Sequence, residues 1–231
     1  SEFLRIIDSG KVAILTGARQ VGKTTLVSEA LKHRKVVLLN FDVPYDVSRF
    51  NAASVLPPAD GMKSLGSPEI LVIDEAQRVP EAARIVKGWY DSKLPVKFVL
   101  LGSSSLSLLS QSSESLTGRN HKIQLSPLMM QEALQAEGWY RSEYTLSIIE
   151  EHFAAQFRVF LLKSMVFGGY PEVVVSDDKI KLLRELSGDY LWKDILQGGL
   201  VKTPDMLRRL LTLLAHQVGS EVSVNELAQQ L

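Results

Sequence analysis

The chain has 231 residues, 45% hydrophobic and 23% charged, an ordinary globular composition with room for one large domain or two smaller ones. Lys plus Arg and Asp plus Glu both number 26, so no global charge argues for nucleic acid or an anionic membrane as partner. The absence of cysteine excludes disulfides, iron–sulfur clusters and thiolate zinc sites. No apolar run reaches the ~18–20 residues of a membrane span, and no signal-peptide layout opens the chain, so a cytoplasmic protein without a membrane partner is expected.

The first element is an apolar run, Val12 to Thr16, that reads as a buried strand. It ends in Gly17-Ala18-Arg19-Gln20-Val21-Gly22-Lys23-Thr24-Thr25, followed by a helical pattern over about 23–33. Strand, Gly-x-x-x-x-Gly-Lys-Thr and helix in this order read as a phosphate-binding loop. The glycines let backbone N–H groups turn toward phosphate oxygens, and the helix N-terminus adds partial positive charge. Lys23 is placed to reach the β and γ phosphates, and the Thr24 hydroxyl to ligate Mg²⁺.

Further continuous apolar runs read as strands at 36–41, 70–74, 97–102 and 122–126, with helices near 45–53, 79–92 and 105–116. Continuous rather than alternating hydrophobicity is what a parallel sheet covered on both faces requires, and βα alternation implies a doubly wound α/β fold. Pro57-Pro58 and Ser67-Pro68 mark loops before the third strand. That strand delivers Asp74 and Glu75 at its carboxyl end. Beside a phosphate loop, Asp74 would hold Mg²⁺ through water, and Glu75 would orient and deprotonate an attacking water. An adjacent Glu favours hydrolysis over transfer to a bound acceptor. No Asn-Lys-x-Asp guanine motif occurs, which points to ATP.

The fourth strand ends Leu101-Gly102-Ser103-Ser104. Ser103 reads either as a hydrogen-bonding group for the γ-phosphate or attacking water, or as the cap of the next helix. Ser115-Leu116-Thr117-Gly118-Arg119 precedes the fifth strand. Arg119 reads either as a finger for a neighbouring copy's γ-phosphate, worth roughly 10³–10⁵ in rate, or as a surface arginine in a turn.

Beyond residue 126 the pattern turns helical. Ser126-Pro127 predicts a helix over 127–137, and further helices are expected over 145–167 and 178–197. Thr203-Pro204 opens another, with Leu207, Leu210, Leu211, Leu214 and Val218 at helical spacing. Ser223-Val-Asn-Glu226 has the layout of a capping box. The four histidines show no i, i+3 or i, i+4 pairing, so no metal cluster is expected.

Taken together, Gly17–Thr25, Leu71-Val-Ile-Asp-Glu-Ala-Gln77, Leu101-Gly-Ser-Ser-Ser105, Ser115–Arg119 and Phe167-Gly-Gly-Tyr-Pro171 resemble the AAA+ branch of P-loop ATPases. Within it, the chain is similar to prokaryotic ATPases with an AAA domain, a winged helix and a C-terminal nuclease-like domain of unknown function. The resemblance implies a P-loop core with a five-stranded parallel sheet at 1–126, a helical lid at 127–202 and the start of a winged helix at 203–231. It implies that the recognition helix, the wing and the nuclease-like domain lie beyond Leu231. It also implies an inserted strand between the loop strand and the acid strand, which sits poorly with a kinase.

ATP or ADP would be bound by Gly17, Ala18, Arg19, Gln20, Val21, Gly22, Lys23, Thr24 and Thr25. Pro171 is either an adenine contact in the lid or only a turn, and no lid arginine stands out as a nucleotide sensor. Glu75, Lys23, Ser103 and Arg119 would carry turnover, with Mg²⁺ on Thr24 and Asp74. The expected activity is that of an ATP-hydrolysing switch or motor, with homo-oligomers formed through Arg119. The alternative is a nucleotide-gated module that recruits DNA or protein through the winged helix with negligible hydrolysis.

Overall fold

The computed structural model describes residues 2–102, 116–190 and 203–231. Five parallel strands form one sheet: β1 (Val12–Thr16), β2 (Val36–Asn40), β3 (Ile70–Asp74), β4 (Lys97–Gly102) and β5 (Asn120–Gln124). Their order is β2-β3-β4-β1-β5, so β4 does lie between the loop strand and the acid strand. The apolar runs of β1, β3 and β4 are buried along almost their whole length, because these three strands are interior to the sheet. The edge strands β2 and β5 are more open, and β5 is correspondingly polar.

β5 begins two residues earlier than its apolar residues suggest. An edge strand is placed by its ladder, which here runs from Val12 opposite Asn120 to Thr16 opposite Gln124. Leu125 N–H then donates to Thr16 O at 2.7 Å and carries the pairing one step further.

The helices α1 (Glu2–Asp8), α2 (Lys23–Leu31), α3 (Pro44–Ser54), α4 (Pro58–Ser64) and α5 (Ala82–Asp91) accompany this sheet. One apolar cluster joins Phe3 and Ile7 of α1 and Val27 and Leu31 of α2 to Ala13, Leu15, Val72 and Val99. The other joins Phe50, Ala53, Met62, Val86 and Trp89 to Val12, Ile14, Leu71 and Phe98. Its centre is an aromatic chain: Phe50 meets Phe41 and Trp89 edge-on at 5.0 and 5.2 Å, and Trp89 stacks on Phe98 at 6.3 Å. Burying each large apolar side chain contributes about 1.5–3 kcal/mol, so these two clusters are the main source of rigidity beneath the strand ends.

α4 stands where the proline pair reads as loop. Pro58 occupies the first helical position, where its missing N–H costs nothing, and Gly61 lets α4 approach the Ala53 carbonyl closely. The helix expected over 79–92 is α5, Ala82–Asp91, preceded by a 3₁₀ turn, Ala76–Arg78.

Ser126-Pro127 does not open a helix. The Leu125 amide is committed to Thr16 O and the Leu128 amide to Gly169 O at 2.7 Å, so the backbone stays outside any helix until Met130–Leu134. That short helix is capped by Glu132, whose carboxylate accepts from Met129 N–H at 2.8 Å. The 145–167 region is two helices, Leu146–His152 and Ala154–Phe167, with Thr145 capping the first through its hydroxyl.

The backbone groups into two compact units, residues 1–154 with 169–172, and 155–168 with 173–231. In the second unit Lys179 Nζ donates to the carbonyls of Val173, Val174 and Ser176 at 2.6–2.9 Å, closing the end of Pro171–Val175. Pro204–His216 and Val224–Gln230 start where Thr203-Pro204 and Ser223 predict, and Ser223 Oγ accepts from Glu226 N–H at 3.3 Å. Of the helix expected over 178–197, Lys179–Tyr190 is described, and the remainder and the 105–116 helix fall largely outside the described residues. No helix among the described residues is long and apolar enough to cross a membrane.

Candidate functional site

The loop after β1 is drawn tight by three features. Gly17 runs so close to the Leu125 carbonyl that a Cβ would overlap it. Gln20 and Gly22 both take left-handed backbone, φ 57° and 92°. Left-handed residues alternating with right-handed ones turn successive amides into a concave anion nest. Leu26 N–H donates to Gly22 O at 2.8 Å, so α2 begins directly on the loop, and its N-terminal end lies at the loop. Lys23 is only 6% exposed, and its Nζ donates to Gly17 O at 2.9 Å and Ala18 O at 2.8 Å. The ammonium therefore lies across the loop that its own residue terminates.

β3 brings the acids to this end of the sheet. Asp74 is 7% exposed, and both its oxygens are held. Thr24 Oγ1 donates to Oδ2 at 2.7 Å, and Glu75 N–H donates to Oδ1 at 2.9 Å. Thr24 and Asp74 thus meet directly across the intervening β4. Two hard oxygen donors beside a phosphate nest match Mg²⁺, which binds few protein oxygens and keeps waters or phosphate oxygens for the rest. Among the described residues no cluster of three or more His, Cys, Asp or Glu could hold a metal, so a site of the softer, fully proteinaceous kind is not formed there.

Glu75 has left-handed backbone, φ 52°, which costs a residue with a Cβ about 1–3 kcal/mol. The kink turns the chain from β3 into the Ala76–Arg78 turn, and Gln77 Nε2 donates to Glu75 Oε2 at 2.5 Å. Arg78 pairs with Asp42 in the segment after β2, tying the turns that follow β2 and β3 together. Nothing local in the sequence singles out Leu125, Asp42 or Arg78. The amide of Gln77, a neutral donor just past two acids, was the one available signal in this group.

Arg119 lies at the other edge of the sheet. Its carbonyl accepts from Val12 N–H, the first amide of β1, while the phosphate loop follows the last residue of that strand. Five strand residues at about 3.3 Å each separate the two, roughly 16 Å. There the guanidinium Nε donates to Asp91 Oδ1 at 2.7 Å at the end of α5, and the group is about two-fifths exposed. Pro171 opens Pro171–Val175, two residues after Gly169, whose backbone presses against Leu128. Ser103 lies outside the described residues.

A sheet ordered β2-β3-β4-β1-β5, a Gly-x-x-x-x-Gly-Lys-Thr loop after β1 and a Thr–Asp contact across to β3 define a P-loop NTPase of the AAA+ type. A family model described as an AAA domain matches residues 9–134, more than half of the chain, and the chain belongs to that family. Residues 160–231 match a domain of unknown function, DUF8612. The chain is 29% identical over 232 aligned residues to the uncharacterized protein Rv2008c of Mycobacterium tuberculosis, covering 98% of this chain and 46% of that protein. It is 27% identical to the uncharacterized protein MJ1544 of Methanocaldococcus jannaschii, covering 96% of this chain and 50% of that one. The chain therefore spans about half the length of the curated relatives it matches. Among solved structures, the Walker-type ATPase PABY2304 of Pyrococcus abyssi superposes with a TM-score of 0.54 at 17% identity, over 99% of this chain and 85% of that one. At that identity the likeness is one of fold.

Proposed function

We propose that this protein is an ATP-binding and ATP-hydrolysing switch or motor, with the phosphate loop and the Asp74-Glu75 pair as its catalytic centre. The observation that carries the reading is the 2.7 Å contact between Thr24 Oγ1 and Asp74 Oδ2, with Glu75 next in the chain and Lys23 lying across the loop. Loop amides from Gly17 to Thr25 bind the β and γ phosphates. Lys23 exchanges its two loop carbonyls for phosphate oxygens and neutralises charge that grows on them. Thr24 and Asp74 would hold Mg²⁺, which would supply Lewis-acid stabilisation of the charge on the phosphates. Glu75 accepts a proton from the attacking water as its oxygen bonds to the γ-phosphorus. The bond between that phosphorus and the β,γ-bridging oxygen breaks, leaving ADP and inorganic phosphate. Ser103, next in the chain after Gly102, is assigned to the γ-phosphate or that water.

Arg119 is assigned to a second copy of the chain. About 16 Å from its own loop along β1, it serves catalysis only where another subunit's phosphates come to that edge. Pro171 is assigned to the adenine side, the helices beyond residue 126 to a lid, and residues 203–231 to the start of a winged helix that contacts DNA or a protein.

Glu75→Gln tests the reading. Nucleotide binding should persist within about a few-fold while turnover falls by roughly 10²–10⁴, the usual worth of a positioned general base. Turnover by Glu75→Gln at the wild-type rate would remove Glu75 from the role. Tight ATP binding by the wild type with no phosphate release, with or without DNA, would favour a nucleotide-gated binding module instead.

A further inference from the structure

The turn that follows the acid pair is built to a purpose the reaction scheme above does not use. Ala76 is fully buried, Arg78 N–H donates to Glu75 O at 2.9 Å, and the Arg78 guanidinium is paired with Asp42. The turn is therefore anchored at both ends, and Gln77 sits between the anchors. Its amide nitrogen reaches back to Glu75 Oε2 at 2.5 Å, while the Glu75 backbone is bent left-handed at φ 52° and its N–H is bound to Asp74 Oδ1. Backbone and carboxylate of the same residue are thus fixed separately, the first by Asp74 and the second by Gln77.

We propose that Gln77 is a positioning residue that aims the Glu75 carboxylate before nucleotide arrives. The proposal rests on the assignment of Glu75 as the base. The residue type suits the task. An ammonium or guanidinium at this place would orient the carboxylate but pull strongly on its proton affinity, and a second carboxylate would repel it. A neutral amide donor orients it at less cost to its basicity. A base misplaced by about 1 Å loses on the order of 10²-fold in rate, so the amide has a measurable effect to protect.

The test uses Gln77→Met, which keeps length and volume but has no donor, in the full chain. ATP turnover and calorimetric nucleotide affinity are measured for wild type, Gln77→Met, Glu75→Gln and the double variant. Expected is a loss of about 10–100-fold in kcat for Gln77→Met, with nucleotide Kd within about twofold. In the Glu75→Gln background the same substitution should change nothing further, because its effect passes through Glu75.

Wild-type kcat in Gln77→Met overturns the proposal. So does a Kd that weakens in step with kcat, or an equal loss in both backgrounds, since each makes Gln77 a structural or binding residue. Glu75→Gln that turns over like wild type removes the base assignment itself, whereas inactive Glu75→Gln beside fully active Gln77→Met removes only the role of Gln77. If Gln77→Met does not fold, Gln77→Leu, also neutral and without the donor, is read by the same outcomes.

Discussion

Gly17 shows how narrowly one residue sets this site. Its φ is unexceptional, yet the Leu125 carbonyl occupies the space a Cβ would need. Gly17→Ala must therefore push the first loop residue off the β5 exit, and Leu125 cannot yield freely because its N–H is bonded to Thr16 O. The expected cost is about 1–3 kcal/mol, read as a lower melting temperature together with weaker nucleotide affinity. An unchanged melting temperature would show that the loop gives way without strain. The fixed positions of the loop were legible in the sequence because phosphate chemistry demands them. Leu125 was not, since any residue supplies a carbonyl. Glu75 was legible as an acid but not as a left-handed residue, because the bend is imposed by β3, by Asp74 and by the turn that follows. The Arg78–Asp42 pair joins residues 36 positions apart, and no local pattern predicts it.

At the scale of elements, α1 is fastened to the sheet by a charge cluster as well as by Phe3 and Ile7. Asp8 accepts from Lys97 Nζ at 2.6 Å at the start of β4 and from Arg34 at 3.1 Å before β2. The Lys97 ammonium, with help from Arg34, holds the Asp8 carboxyl below its ordinary value of 3.8. The folded state therefore binds this proton less readily than the unfolded chain. The resulting stability is complete above 3.8 and fades as pH falls through the lower folded value. Asp8→Asn should lower the melting temperature at pH 6, and the gap to wild type should close as the pH drops below 3.8. A gap that stays constant with pH would mean that the charge on Asp8 contributes nothing there.

The interior strands were legible because burial on both faces leaves an uninterrupted apolar run. β5 was misplaced by two residues because an edge strand carries no such run. The helix expected from 127 begins only at Met130, because tertiary hydrogen bonds from Leu125 and Leu128 overrode a good local start signal.

At the scale of the whole molecule, the two ends of the sheet divide the work. The carboxyl ends of β1 and β3 carry the phosphate-loop residues and Asp74, and Arg119 lies at the amino ends of β1 and β5. On the proposed reading, an assembly that stacks one end against the other would complete each site with its neighbour's arginine. Arg119→Ala is expected to leave nucleotide affinity near wild type and to lower turnover by roughly 10³ or more, with the loss seen only at concentrations where the chain self-associates. Equal turnover by wild type and Arg119→Ala across a concentration series would reduce Arg119 to the partner of Asp91.

All of these roles presuppose a triphosphate held on the loop after β1. Isothermal titration of the folded chain with ATP and magnesium, beside Lys23→Ala, measures this directly. Saturable binding by wild type is predicted, weakened by about 10-fold or more in Lys23→Ala, since a hydrogen bond to a charged group contributes about 1.5–3 kcal/mol. No heat of binding in the wild type, or equal affinity in Lys23→Ala, would contradict the account.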